Sequence, residues 1–262
     1  MAAVYELIDG ALYATELSRG PWDPGAQHGG APAAVLMRAF EALPMDAGAD
    51  LVTARVTYEL LRPVPLGSLA VSAAVARPGR RVQLLEGSIF TREGVEVVRA
   101  RALRVRRAEV DAGLDAGPFK RPLGPESGVP NDFPGAGLAL FPTDAMEVRF
   151  VRGSFLAPGP ATAWFRLRVP IVAGEEPSPR QRLVAAADFP NGIATELAWD
   201  RWIFINPDLS VFVEREPVGE WICVEASMRV SNGGSGLTEA VLYDEDGRVG
   251  RSLQTLYVAP RV

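Results

Sequence analysis

The rhythm of hydrophobic and polar positions changes several times along the chain. Alternation with a period near two, rich in β-branched residues, occupies 51–62, 68–76, 80–91 and 95–106 and predicts four strands. The breaks between them, Pro63 to Gly67, Pro78-Gly79 and Glu93-Gly94, are residues that close tight turns, so the four strands read as an antiparallel meander. Ahead of them, Val35, Leu36, Ala39, Phe40 and Leu43 recur at helical spacing in the stretch Ala31 to Leu43, with Pro32 in the first turn, which predicts one helix.

The same order returns after residue 144. Ser178-Pro179 provides an N-cap and a proline at the first helical position, Leu183 to Ala187 continue the helix, and Phe189-Pro190-Asn191-Gly192 stops it. Strands are then expected at 203–215, 220–230, 237–244 and 248–258. The halves overlay by their punctuation: Pro65-Leu66-Gly67 meets Pro217-Val218-Gly219 at an offset of 152, and Gly94 meets Gly247 at 153. Matching turns in the same order imply a duplicated unit. Three regions are expected: an N-terminal unit at 1–107, a connecting segment at 108–143 with six Gly and six Pro, and a C-terminal unit at 144–262.

Composition narrows the chemistry. The 262 residues include one His (His28), one Cys (Cys223) and one Lys (Lys120). A histidine-rich metal site, a zinc ribbon and an intrachain disulfide all need side chains the sequence lacks. A lysine that anchors a cofactor would have to be Lys120, in a Gly/Pro-rich stretch. With 48% apolar residues the chain can bury a proper core. The net charge of −5 gives no global attraction to nucleic acid or anionic membrane. No apolar run is long enough to insert in a membrane, and Glu6 and Asp9 stand where a signal peptide would be cationic and then apolar. The expectation is a cytoplasmic protein without metal or cofactor.

A long helix followed by a strongly curved antiparallel sheet resembles the hotdog fold, and two such units in one chain resemble a double hotdog, an α+β architecture in which each sheet wraps a long central helix. The segment Gly20 to Pro32, with Gln27-His28-Gly29-Gly30 at its centre, resembles the lead into the first central helix of the acyl-CoA thioesterase II-like branch of the thioesterase superfamily. Asn206 to Ser210 and Pro217 to Trp221 resemble the second-half hairpin of the same branch. The resemblance implies hydrolysis of a fatty acyl-CoA to free acid and CoA by a water held between an Asp, a Thr or similar residue, and a Gln, with no covalent intermediate. The Asp falls on Asp188, the Gln on Gln254, and the hydroxyl position on Asn206. That asparagine departs from the family pattern. The acyl chain would run between the central helices and the sheets, and open sheet edges would favour a homodimer or higher homo-oligomer.

The residues themselves leave alternatives open. Asp188 follows an apolar helical run where burial would raise its pKa toward that of a general base, yet an Asp there also serves to turn the chain. Gln254 is expected on a strand face with Leu256 and Val258, and Val249, Leu253 and Tyr257 on the other; its counterpart in the first half is Arg101, so a single site per chain is expected where the halves meet. Asn206 precedes Pro207 and could simply form a bulge. His28-Gly29-Gly30 opens the first helix, whose unpaired N–H groups and dipole suit a carbonyl oxygen gaining charge; His28 is assigned to substrate contact or loop shape and not to the role of base. Nine arginines lie among the 31 residues from Arg77 to Arg107, including Arg80 and Arg81 at a hairpin turn. Those two are candidates for the phosphates of CoA, and most of the others read as a solvated sheet. Two rival functions remain: a hotdog hydratase, with Asp23 and His28 five positions apart, and a catalytically silent acyl-CoA binding protein.

Overall fold

The computed structural model describes residues 2–46, 48–108, 121–131, 133 and 137–261. Much of the connecting segment, Lys120 included, lies outside the described residues. In chain order the elements are β1 (Tyr5–Ile8), β2 (Ala11–Ala14), α1 (Gly30–Glu41), β3 (Leu51–Leu60), β4 (Gly67–Arg77), β5 (Val82–Thr91), β6 (Glu96–Arg106), β7 (Val129–Pro130), β8 (Met146–Arg152) and β9 (Ala161–Leu167). There follow α2 (Pro179–Ala186), α3 (Pro190–Ile193), β10 (Trp202–Ile205), β11 (Asp208–Val213), β12 (Ile222–Val230), β13 (Ser235–Asp244) and β14 (Gly247–Pro260). The meander β3 to β6 and the helix before it lie where the hydrophobic rhythm puts them. The short strands β1, β2, β8 and β9 carry no comparable signal and are additions. The expected strand 203–215 is split into β10 and β11 at Asn206-Pro207, because proline has no N–H to give to a ladder.

All these strands form one antiparallel sheet in the order β1-β2-β4-β5-β6-β3-β11-β14-β13-β12-β9-β8-β7, with β10 also on β14. First-half strands occupy one side and second-half strands the other, and the seam is β3 against β11, where Thr57 faces Ser210 with their hydroxyls 3.1 Å apart. The edge strand β1 also reaches across: Tyr5 N–H donates to Ile171 O at 2.8 Å.

The helix α1 is buried nearly all round, with Ala31, Ala33 to Met37 and Phe40 out of solvent. That suits a helix enclosed by a sheet better than a surface helix with one apolar face. Its last carbonyls are satisfied by a residue of the sheet: buried Arg104 donates to Phe40 O at 2.5 Å and to Leu43 O at 3.2 Å, and its Nη1 also bonds Gln83 Oε1 at 2.9 Å. Arg104, expected with the other arginines on a solvated sheet, is therefore an interior helix cap.

The central helices are shorter than the long ones expected, 12 residues in α1 and 8 in α2. The second ends at Ala186, and Pro190 opens a new turn as the first residue of α3. Ser178 caps α2 as its sequence predicts, accepting from Gln181 N–H at 3.1 Å, and its hydroxyl also donates to Glu41 at the end of α1 at 2.7 Å. Glu41 takes Gln181 Nε2 as well, at 2.8 Å, and Arg38 forks onto Glu175 at 2.5 and 2.6 Å. The Arg38 pair is half-exposed on both sides and contributes about 1 kcal/mol or less. Ser178→Ala should cost about 1 kcal/mol for the lost cap and lower the thermal midpoint by about 2–4 °C in a domain of this size; an unchanged midpoint in circular dichroism would show that the hydroxyl carries neither contact in solution.

Candidate active site

Where α2 ends, the chain turns at Asp188 directly over the start of α1. Two glycines permit this approach. A Cβ on Gly29 would lie 2.7 Å from Asp188 Oδ2, and one on Gly30 would lie 2.5 Å from the backbone oxygen of Ala185. The sequence reading gives these glycines to an incoming substrate; in the structure the group that comes close is the second helix.

Asp188 is buried, and its two oxygens have different surroundings. Oδ1 accepts from Asn206 Nδ2 at 2.9 Å and from Gln254 Nε2 at 3.1 Å. Oδ2 faces His28 Nδ1 at 3.2 Å. The three residues that the family resemblance assigns to one site lie together, with Asp188 from the turn after α2, Asn206 between β10 and β11, and Gln254 on β14. His28 joins them as a neighbour of the carboxylate. Asp23, the acid that sequence spacing associates with His28, is instead in an exposed turn, accepting from Gly25 N–H at 2.8 Å.

Both amides are oriented by a residue the sequence reading passed over. Asn191, in α3, gives its backbone N–H to Gln254 Oε1 at 3.1 Å and its side-chain Nδ2 to Asn206 Oδ1 at 3.1 Å. With their oxygens so engaged, the NH₂ ends of Asn206 and Gln254 must turn to Asp188. In the sequence Asn191 sits inside Phe189-Pro190-Asn191-Gly192, which reads as a helix stop, and only its position three residues after Asp188 could have drawn notice. Pro207 does not disturb the site, since its carbonyl accepts Leu60 N–H at 2.7 Å and keeps the seam with β3 closed.

Gln254 lies inward with Leu256 and Val258 as the strand alternation requires, and Leu253 and Tyr257 lie outward. Val249, expected on the outer face, is buried too, beyond the register shift at Leu242 and Tyr243.

Burial raises the Asp188 carboxyl from its ordinary value to about 7, opposed by the hydrogen bonds from Asn206, Gln254 and the Gly30 backbone that favour the ionised form. Burial lowers His28 to about 3, so the imidazole is neutral; its Nδ1 accepts from Gly30 N–H at 3.1 Å and lies 3.2 Å from Asp188 Oδ2, a contact between a neutral ring and the acid and not an ion pair. The ring lies between Phe189 and Phe141, with centroids 4.4 and 5.2 Å away. Arg80 and Arg81 are exposed and far from this group: Arg106 N–H donates to Arg81 O, and Gly48 lies against Arg80, in the region beyond the C-terminal end of α1. The 12-residue helix separates them from His28 by about 18 Å at 1.5 Å per residue. The space between α2 and the sheet is filled by its own side chains, Leu183 to Ala187 being fully buried, so an acyl chain there would have to part them. Cys223 is packed with Trp164 and Tyr243, and burial pushes its thiol up, which makes it a poor nucleophile. Among the described residues no three His, Cys, Asp or Glu side chains gather as a metal-binding group.

The chain matches the sequence model of an acyl-CoA thioesterase N-terminal domain over residues 18–105 and that of an acyl-CoA thioesterase C-terminal domain over residues 125–258. It belongs to the acyl-CoA thioesterase family. No curated protein matches it. Among solved structures it is similar to a hot dog-fold protein of unknown function from Alicyclobacillus acidocaldarius, at TM-score 0.74 and 17% identity, covering 97% of this chain and 96% of that one. It is also similar to a putative thioesterase II from Thermobifida fusca, at TM-score 0.71 and 17% identity, covering 95% and 91%. A third is the acyl-CoA thioesterase II TesB2 of Mycobacterium marinum, at TM-score 0.66 and 17% identity, covering 98% and 94%. At these identities the likeness establishes the hotdog fold.

The glycine contacts give a direct check. Gly30→Ala must push the two helices apart against backbone, and should lower stability by about 1–3 kcal/mol, the range for overpacking. Gly29→Ala meets only the Asp188 side chain and should cost less. Equal costs in chemical denaturation would mean that the helices are not in contact at Gly30.

Proposed function

We propose that the protein hydrolyses fatty acyl-CoA thioesters to free acid and CoA, with Asp188 as the final acceptor of the proton lost by the attacking water. The observation that carries this reading is the Asp188 carboxyl, buried at the join of the halves and clamped on one oxygen by Asn206 and Gln254, where burial raises its pKa to about 7. A base poised near neutrality is both ionised often enough and basic enough to help water attack. A thioester is activated toward such attack, so no covalent nucleophile is required. Asn206 stands where the family resemblance places a hydroxyl, and its amide supplies an equivalent donor to the carboxylate. The start of α1 brings the positive end of a helix dipole to the same point, which favours a carbonyl oxygen gaining charge. Arg101, the first-half counterpart of Gln254, is exposed, in keeping with one site in the pair of units at 1–107 and 144–262.

A second reading, a hydratase acting on enoyl thioesters, is favoured by one observation: a histidine and an acid, drawn from different halves, lie 3.2 Å apart. A binding protein without turnover is the third. Release of free thiol from a panel of acyl-CoAs, read with a colorimetric reagent, separates them. Wild type should turn over at least one chain length, at a rate that rises with pH to a plateau above about 7, because the protonated acid present at lower pH cannot act as base. Asp188→Asn should lose about 100-fold or more in kcat with no loss of thermal stability, since it removes a buried charge. Tight binding without turnover would establish the binding protein, and loss of enoyl absorbance from crotonyl-CoA the hydratase. Equal rates for wild type and Asp188→Asn would remove Asp188 from the chemistry.

A further inference from the structure

Asp188 is poorly placed to meet a water itself. Its Oδ1 already accepts two amide hydrogens, and its Oδ2 lies between His28 Nδ1 and the Gly29 backbone. The amides are spent as well. Asn206 Nδ2 bonds Asp208 O in addition to Asp188, and Gln254 Nε2 bonds the Asp188 carbonyl. His28 is different. Its Nδ1 faces the carboxyl at 3.2 Å, whereas its Nε2, at the far side of the ring, makes no hydrogen bond among the described residues. The His28 side chain keeps about 10% of its surface exposed, so the ring is not wholly sealed from water.

We propose that His28 and Asp188 act as a relay, in which His28 Nε2 is the atom that takes the proton from the attacking water and Asp188 Oδ2 receives the proton displaced from Nδ1. The inference rests on the hydrolase reading. In the attack the water oxygen bonds the thioester carbon, the carbonyl electron pair moves onto oxygen, one water proton goes to Nε2, and the Nδ1 proton goes to Oδ2. In the collapse the carbonyl re-forms and the carbon–sulfur bond breaks. The leaving thiolate takes the Nε2 proton, and the Oδ2 proton returns to Nδ1. The products are an acid and a thiol, and the pair is restored. The imidazole stays uncharged at both resting points, as its burial demands.

The backbone is arranged for both forms. Gly30 N–H is 3.1 Å from Nδ1 and is also among the groups that favour the Asp188 anion. It can serve the nitrogen when the proton is on the acid, and the acid when the proton is on Nδ1. Asn206 and Gln254 hold Oδ1 throughout, which leaves Oδ2 as the oxygen that exchanges. Other charged groups on the surrounding elements are engaged elsewhere. Arg19 reaches Pro24 O and Ala139 O, Asp208 takes Thr255 N–H, Asp144 takes Leu140 N–H, and the Tyr5 hydroxyl donates to Gln27.

Because the chain has one histidine, its ring nitrogens can be followed by ¹⁵N NMR in the wild-type protein without assignment by mutation. The relay predicts a neutral ring between pH 5 and 9 that carries its proton on Nε2 at the acidic end and on Nδ1 at the basic end, with the change abolished in Asp188→Asn. It also predicts that His28→Gln, checked for folding by its thermal midpoint, loses about 100- to 10,000-fold in kcat while KM moves less than about threefold. A tautomer constant across that range, or a His28→Gln variant with wild-type kcat, would overturn the relay. The NMR change needs no turnover: a switching ring in a protein that hydrolyses no acyl-CoA would leave the pair standing and remove the thioesterase reading, and turnover with a static ring would do the reverse.

Discussion

The close crossing of two short helices governs the rest of this molecule. Gly30 at the start of α1 lies against the Ala185 carbonyl of α2, with no room for a side chain between them, and this contact brings the beginning of one half over the end of the matching helix in the other. His28, just before α1, and Asp188, just after α2, then meet because each is one turn or less from the crossing. The sheet seam of β3 and β11 and the Glu41 contacts to Ser178 and Gln181 hold the same geometry from either side. Neither half contains the site alone.

That crossing places a carboxyl and an imidazole largely out of water, with about 5% and 10% of their side-chain surfaces exposed, and each has an electrostatic cost. Asp188 binds a proton more tightly in the folded chain than in the unfolded one, so its contribution to stability falls as pH rises from about 4 to about 7. His28 behaves oppositely: the folded chain resists protonating it, and its contribution rises as pH goes from about 3 to about 6.5. The two trends oppose one another over most of the mildly acidic range. Keeping one proton between two neutral or singly charged partners is the least costly way to bury both. The donors from Asn206 and Gln254 lower the cost of the anion without adding a charge.

Much of the architecture was legible in the sequence because its signals are local. The period-two runs of β3 to β6, the cap Ser178-Pro179 and the turn residues at Gly94 and Gly247 each act within a few positions. Asp188, Asn206 and Gln254 could be proposed together only through family resemblance, since they lie on separate elements. What stayed hidden was non-local: Arg104 reads as one of nine sheet arginines and is a buried helix cap, and Asn191 reads as part of a stop signal and orients two amides. Arg80 and Arg81 look suitable for phosphate by composition, and the structure sets them beyond the far end of α1, about a helix length from His28.

By itself the sequence determined the order of the two central helices and the main strands β3 to β6 and β10 to β14, the repeated turn residues and the poverty of the chain in His, Cys and Lys, because hydrophobic period, turn chemistry and composition are properties of neighbouring residues. Only the tertiary structure decided which of the carboxylates lost its water, and that the single histidine faces it. Both depend on how closely two backbones approach across the join, a distance fixed by packing between residues more than 150 positions apart in the chain.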